Sequence, residues 1–146
     1  MVVTMISRRD CSRLLPALAA AVARAQSPAS QALPSKVYLH GQVPYEGDAK
    51  KKGRRFFRGA YRNGFNLEMH ETILGAGVAT HEPHKHVHEE IVIVVEGTVE
   101  TYLEGKTQIA EAGSVAYFGS NQMHSARNAG TTPCRYYVVE LRGSEA

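Results

Sequence analysis

Apolar residues fall into two regimes along this chain. Between Leu14 and Ala23 they run together with almost nothing polar among them. From Lys36 onward they come in short runs of β type, separated by glycine-bearing turns. The clearest predicted strands are Asn66–Leu74, Glu90–Glu96, Thr98–Leu103, Ser114–Phe118 and Tyr136–Leu141. Leu103-Glu104-Gly105-Lys106 reads as a hairpin turn and Glu111-Ala112-Gly113-Ser114 as another. Residues 41–55, punctuated by Gly41, Pro44, Gly47 and Gly53, read as irregular. After the leader no ten-residue stretch has helical periodicity, and there is no internal repeat. Many short strands at close spacing predict an all-β sandwich or barrel. Ile91–Val95 is apolar without interruption, so that strand is expected to be covered on both faces.

The first apolar run belongs to a leader. Residues 1–25 hold four arginines and one acid, then the Leu14–Ala23 run, then the small-residue ending Ala23-Arg24-Ala25. A charged segment, an apolar segment and a small-residue cleavage site in that order describe a signal peptide. Ten apolar residues are too few to cross a hydrocarbon core roughly 30 Å thick as a helix. Ser7-Arg8-Arg9-Asp10 resembles the twin-arginine export signal of bacteria, although Cys11 stands where that pattern carries a large apolar residue. The expectation is export to the periplasm, by the twin-arginine or the general secretory route. Residues 26–35, rich in Ser, Ala and Pro, read as a flexible linker, and 36–146 as one domain.

Cleavage changes the charge. It removes four of the 17 basic residues (Arg8, Arg9, Arg13, Arg24) and one of the 14 acids (Asp10), leaving 13 of each. A nucleic-acid partner needs surplus positive charge on the folded domain, and the mature chain has none overall. The run Lys50-Lys51-Lys52-Gly53-Arg54-Arg55 reads as a solvated loop. Only Cys134 survives cleavage, so no intrachain disulfide is available.

Six of the seven histidines lie between His70 and His124, and four of those fall within His81–His88, which makes that segment the place to look for chemistry. Residues two apart on a strand share a face, so His84 and His86 can reach one ion. A carboxylate a few residues later, beyond a turn, can close a third side. Imidazole with carboxylate suits divalent Zn, Fe, Mn, Ni or Co. A solvated, histidine-rich loop without a specific site is the competing reading.

The segment His84-Lys85-His86, three residues, Glu90, six residues, Gly97 resembles the first motif of the cupin superfamily at every specified position. That motif usually starts with a glycine five residues before the first histidine, and Gly77 is six before. The second motif is similar to Gly113, Gly119, Asn121, His124 and Asn128, with Gly119 in place of proline and Asn121 in place of the second glycine. Asn tolerates left-handed backbone, so the turn is expected to persist. The resemblance, to small single-domain bacterial cupins, implies a jelly-roll β-barrel (double-stranded β-helix) with one divalent metal ion per chain. It implies His84, His86, Glu90 and His124 as the ligands, Gly97 and Gly113 as turn formers, and Asn128 as a structural residue. It also implies a homodimer without a membrane anchor after processing.

Neighbouring residues are read separately. Shifting the register to His86-Val87-His88 leaves Glu90 only one residue on, so His88 reads as a loop residue and Glu89 as pointing away. His81 and Glu82 are weak candidates for acid–base or supporting roles. Met69, Tyr102, Tyr117 and Phe118 read as core or pocket lining, and Arg127, three residues after a ligand, as facing solvent. Three imidazoles and a carboxylate leave about two open positions on an octahedral ion, enough for a chelating substrate or for dioxygen and a substrate. The expected function is a metal-dependent enzyme of oxygenase or isomerase type acting on a small molecule. The competing reading is a small-molecule or metal-binding module without turnover.

Overall fold

A computed structural model describes residues 32–61 and 64–143, so the leader and most of the expected linker lie outside the described residues. A 3₁₀ turn at His40–Gln42 precedes the strands β1 (Glu46–Gly47), β2 (Lys51–Ala60), β3 (Asn66–Leu74), β4 (Glu89–Glu96) and β5 (Thr98–Leu103). The strands β6 (Lys106–Glu111), β7 (Val115–Phe118), β8 (His124–Asn128) and β9 (Cys134–Arg142) follow. They form a six-stranded sheet in the order β1-β2-β3-β9-β4-β7 and a three-stranded sheet in the order β6-β5-β8. The pairings within both sheets are antiparallel. The all-β class expected from the short runs holds, with no α-helix among the described residues.

Alternation decides which side of each strand is inside. In β9, Cys134, Tyr136, Val138 and Glu140 are buried while their neighbours are half-exposed. The inward residues of both sheets share one core: Leu74, Val92, Val94, Tyr136 and Val138 meet Val99, Ala110 and Ala126. Ile91, Ile93 and Val95 are only half-buried, so the uninterrupted apolar run of β4 is covered fully on one face. Tyr117 and Tyr137 on the flanking strands are paired with Ile91 and Ile93, which supplies the partial cover on the other.

The turns follow the expected chemistry. Glu104 (φ 45°) and Gly105 (φ 84°) both take left-handed backbone, as a two-residue hairpin of the primed type requires. Asn121, standing where the motif has glycine, sits at φ 59°. Gly97 has φ 76°, and a Cβ there would lie 2.9 Å from the Cα of Cys134. Asn128 is fully buried; its amide donates to Leu74 O (2.9 Å) and Thr132 O (2.8 Å) and accepts from Gly130 N (2.8 Å). That is the structural role expected of it.

Four strands escape a search for apolar runs, the two-residue β1 among them. β2 carries much of the basic run and was expected to be irregular and solvated, yet it is a ten-residue strand. Its Arg54 is 4% exposed and donates to Glu71 Oε2 at 2.5 Å, while Tyr45 (2.8 Å) and Arg135 (3.2 Å) also donate to that carboxylate. The outer face of β2 and β3 is therefore held by a buried ion cluster. Burial pushes the Glu71 carboxyl upward, but these three hydrogen bonds prevail and hold it below its ordinary value. β6 is exposed except at Ala110, and β8 was too short and polar to stand out. The end of the expected linker is docked too, with Leu33 N donating to Ala60 O at 2.7 Å.

Candidate metal centre

The segment between β3 and β4 has little regular structure, but it is fastened along β8. Asn128 N donates to Val78 O (2.9 Å), Thr80 N to Ala126 O (3.0 Å) and Asn121 N to His86 O (2.7 Å). His84 and His124 form an isolated antiparallel bridge. The histidine-rich segment is thus pinned beside the small sheet at isolated points, and its burial alternates through His84, His86 and His88.

Donor atoms of His84, His86 and His124 lie within 4.8 Å of one another. The rings of His84 and His86 are each 4.8 Å from that of His124. Nδ1–H of His86 donates to His88 O (2.8 Å) and Nδ1–H of His124 to Gln122 O (2.8 Å). A carbonyl only accepts, so in each neutral ring the Nε2 lone pair is left free for a ligand. Glu90, on β4, closes the fourth side, with Oε1 3.0 Å from His86 Nε2 and Oε2 3.6 Å from His124 Nε2. The four expected ligands are therefore brought together.

Two observations test whether a cation fits here. Nδ1 of His84 and Nε2 of His124 are buried without a hydrogen-bond partner, which is costly unless something binds them. The second is a row of carboxylates. Glu68 on β3, Glu140 on β9 and Glu90 on β4 stand directly opposite one another across the sheet. Like charges so placed repel. Arg55 and Arg58 balance Glu68, and Arg142 balances Glu140. Among the described residues no Lys or Arg pairs with Glu90; its ion-pair partners are His86, His88 and His124. The residues fit a divalent cation at the Glu90 end of the row. Burial and the neighbouring imidazoles of His81, His124 and His86 hold the His84 ring below its ordinary pKa, keeping it neutral and able to ligate.

The centre opens into a cavity of about 330 Å³ lined by His81, Lys51, Thr72, Phe118, Tyr136 and Arg142, among others. His81 lies beside it, its ring 3.9 Å from that of His84 and its Nδ1 3.0 Å from Glu82 O. Glu82 is exposed and does not line the cavity. Phe118 stacks on His124 at 4.5 Å. Tyr117 faces outward, 54% exposed, with its hydroxyl on Glu89, which points away from the centre. Arg127 also faces outward and pairs with Glu100 at 2.7 Å.

His88 corrects the sequence reading. Its ring stacks on His86 at 3.4 Å, with Nε2 3.4 Å from Glu90 Oε1 and 3.6 Å from Glu140 Oε2. It lies in the irregular stretch before β4, as expected, but its side chain forms a wall of the centre, because the burial alternation through His84 and His86 continues for one more step. Burial, with His86 and Arg142 nearby, lowers its pKa. His70, Glu68 and Glu140 were not singled out as one group; they meet because β3 and β9 are paired, which no local motif reveals.

Residues 70–140 match the family model for the cupin domain, a span that includes all four candidate ligands. No curated protein matches the chain. Among solved structures it is similar to an RmlC-like cupin from Shewanella frigidimarina, with 18% identity and a TM-score of 0.60 over 73% of this chain and 90% of that one. KdgF from a Halomonas species is similar at 17% identity and a TM-score of 0.63, over 77% and 97%. A predicted oxalate decarboxylase from Thermotoga maritima is similar at 19% and 0.60, over 74% and 100%. At such identities these likenesses show the fold, a cupin β-barrel. The domain match, over just under half of the chain, is what supports the cupin superfamily.

Proposed function

We propose that the chain holds one divalent metal ion through His84, His86, Glu90 and His124 and is a metal-dependent enzyme, of oxygenase or isomerase type, acting on a small molecule. The observation that carries this reading is that buried, unpartnered ring nitrogens of His84 and His124 gather with His86, and that His86 and His124 meet a carboxylate, Glu90, that no Lys or Arg balances among the described residues. Mn, Fe, Zn, Ni and Co all suit such a donor set. A bound ion would supply Lewis acidity or redox chemistry at the cavity. The carbonyls of His88 and Gln122 fix which ring nitrogen of His86 and His124 is free. His88 orients Glu90, and Phe118 covers the His124 ring from one side. His81 is the candidate proton carrier at the cavity edge.

A second reading, binding without turnover, draws on the position of Glu82 outside the cavity, which leaves His81 without a carboxylate assistant from its own segment. The leader composition supports a periplasmic location, and the resemblance to small cupins supports a homodimer. Metal analysis of protein purified from the periplasm, followed by oxygen-uptake and isomerisation screens, tests the reading. Substoichiometric metal rejects it; stoichiometric metal with neither activity favours the binding module.

A further inference from the structure

The cavity wall carries an arginine that the four ligands do not use. Arg142 follows Glu140 by two positions on β9, so both side chains fall on the inner face of the sheet. Glu140 stands level with Glu90, and two residues of strand place Arg142 about 7 Å further along β9, at its last residue. Its guanidinium lines the cavity and stands near His88, a wall of the centre. Nε donates to Glu140 Oε2 at 2.7 Å, and Nη2 donates to the same oxygen. Nη1 makes no hydrogen bond among the described residues and is not sealed from solvent; the side chain keeps 28% of its surface exposed. A guanidinium has five N–H donors and no acceptor, so the two on Nη1 are free to meet an anionic oxygen.

Charge supplies the second constraint. The ionised Lys, Arg and Glu side chains lining the cavity are Lys51, Arg142, Glu90 and Glu140, which cancel. A divalent ion would make the loaded cavity positive, which favours an anion. The two cations are not equivalent. Lys51 lies opposite Leu74, which lies opposite Cys134, the first residue of β9, and its Nζ donates to Thr80 O. It is therefore at the other end of the strands from Arg142, with a partner of its own. Arg142 is the cation beside the centre.

We infer that Arg142 is a ligand-binding residue whose free Nη1 pairs with one end of a small dianion carrying an oxyanion group at each end, the other end taking the open positions of the metal centre. The inference rests on the metal-binding reading above and narrows it to a substrate class. An acid with a single anionic group satisfies the ion and leaves Nη1 to water, so it binds more weakly than one that reaches both. Carboxylate and phosphate oxygens both suit a guanidinium, and they share this chemistry.

The test uses the metal-loaded full chain, with metal content measured before and after each titration. Wild type is titrated calorimetrically with succinate, 3-phosphonopropionate and butyrate, which share one carboxylate and differ at the other end. The expected result is that at least one dianion binds about tenfold more tightly than butyrate, as a charge-assisted hydrogen bond allows. Which of the two dianions is preferred tells a carboxylate from a phosphate-like group. Arg142→Gln removes the advantage. The double variant Glu140→Gln/Arg142→Gln, which keeps the cavity's charges balanced, removes it too and leaves butyrate binding unchanged. Lys51→Gln keeps the preference. Equal binding of the three acids to metal-loaded wild type overturns the inference, as does binding of none. So does a preference that survives in either Arg142 variant, or one lost equally in Lys51→Gln, the mark of a general field. Loss of the ion from both Arg142 variants also overturns it, because Arg142 then supports the centre and not the ligand. Wild type without metal overturns the earlier reading and this one with it, so the two failures are told apart.

Discussion

His84 and His124 exchange both backbone hydrogen bonds, His84 N donating to His124 O at 3.0 Å and His124 N to His84 O at 2.8 Å. Forty positions apart in sequence, the two are thereby locked side by side before any ion is considered. Their backbones fix the spacing of two candidate donors, and an ion binding there would have only to complete a set already in place. Ligands of the same kind placed on mobile loops would have to be ordered at the moment of binding, against their conformational entropy.

The first expectation separates ligands from neighbours. His84→Ala, His86→Ala, Glu90→Ala and His124→Ala each lose the ion on dialysis against a weak chelator, and wild type keeps one per chain. Glu89→Ala, whose side chain faces outward toward Tyr117, keeps full occupancy. His88→Ala keeps the ion but binds it about 10–100-fold more weakly, as expected for a residue that orients Glu90. Metal content and affinity across the six variants check this. Melting temperature follows occupancy, since an ion that binds only the folded state stabilises it.

The buried cluster on the outer face sets the acid limit. Glu71 has its folded pKa below the unfolded one, so it stabilises the fold above the ordinary carboxylate value and that stability is lost as the pH falls through and below it. Glu71→Gln leaves the buried guanidinium of Arg54 unbalanced and is expected to cost about 3–5 kcal/mol at pH 7. The gap between wild type and variant should narrow from pH 5 to pH 3. Urea unfolding across that range measures it, and a gap independent of pH refutes the assignment.

Gly97 combines a φ of 76° with a close approach to Cys134. Alanine there would be strained on both counts, costing about 2–3 kcal/mol. Gly113→Ala meets nothing within 4 Å and carries the conformational cost alone, so it should destabilise less. Denaturant midpoints of the two variants give the comparison.

Export makes its own prediction. Periplasmic protein should begin near Gln26, and N-terminal sequencing that returns Met1 removes the idea. Replacing Arg8 and Arg9 by lysine should leave precursor in the cytoplasm if the twin-arginine route is used; normal processing points to general secretion.

What could be read ahead of the structure follows a physical line. Strands with an apolar core face, such as Asn66–Leu74 and Tyr136–Leu141, announce themselves through alternation, and the observed β3 and β9 contain them with ends shifted by two residues or fewer. His84 and His86 were legible as a pair from their spacing of two, whereas Glu90 and His124 entered through the resemblance to the cupin motifs, since local spacing cannot tie His124 to a segment 34 positions before it. β2 was not legible because its inward and covered positions include arginine, whose burial depends on Glu71 seventeen residues away. Tyr136 and Glu140 became part of the cavity through cross-strand pairing with β3 and β4, a relationship that alternation along one strand cannot express.

The row Glu68–Glu140–Glu90 gives the barrel a way to report its own occupancy. Neighbouring strands are about 4.8 Å apart, so the row spans roughly 10 Å from the centre to β3. Without a cation, Glu90 repels Glu140, which is already shared between Arg142, His88 and His70. A cation at Glu90 would offset that repulsion and favour the closed ladder that joins these strands. Loading the centre should therefore slow amide exchange in Glu68 and Met69, on a strand that contributes none of the four ligands.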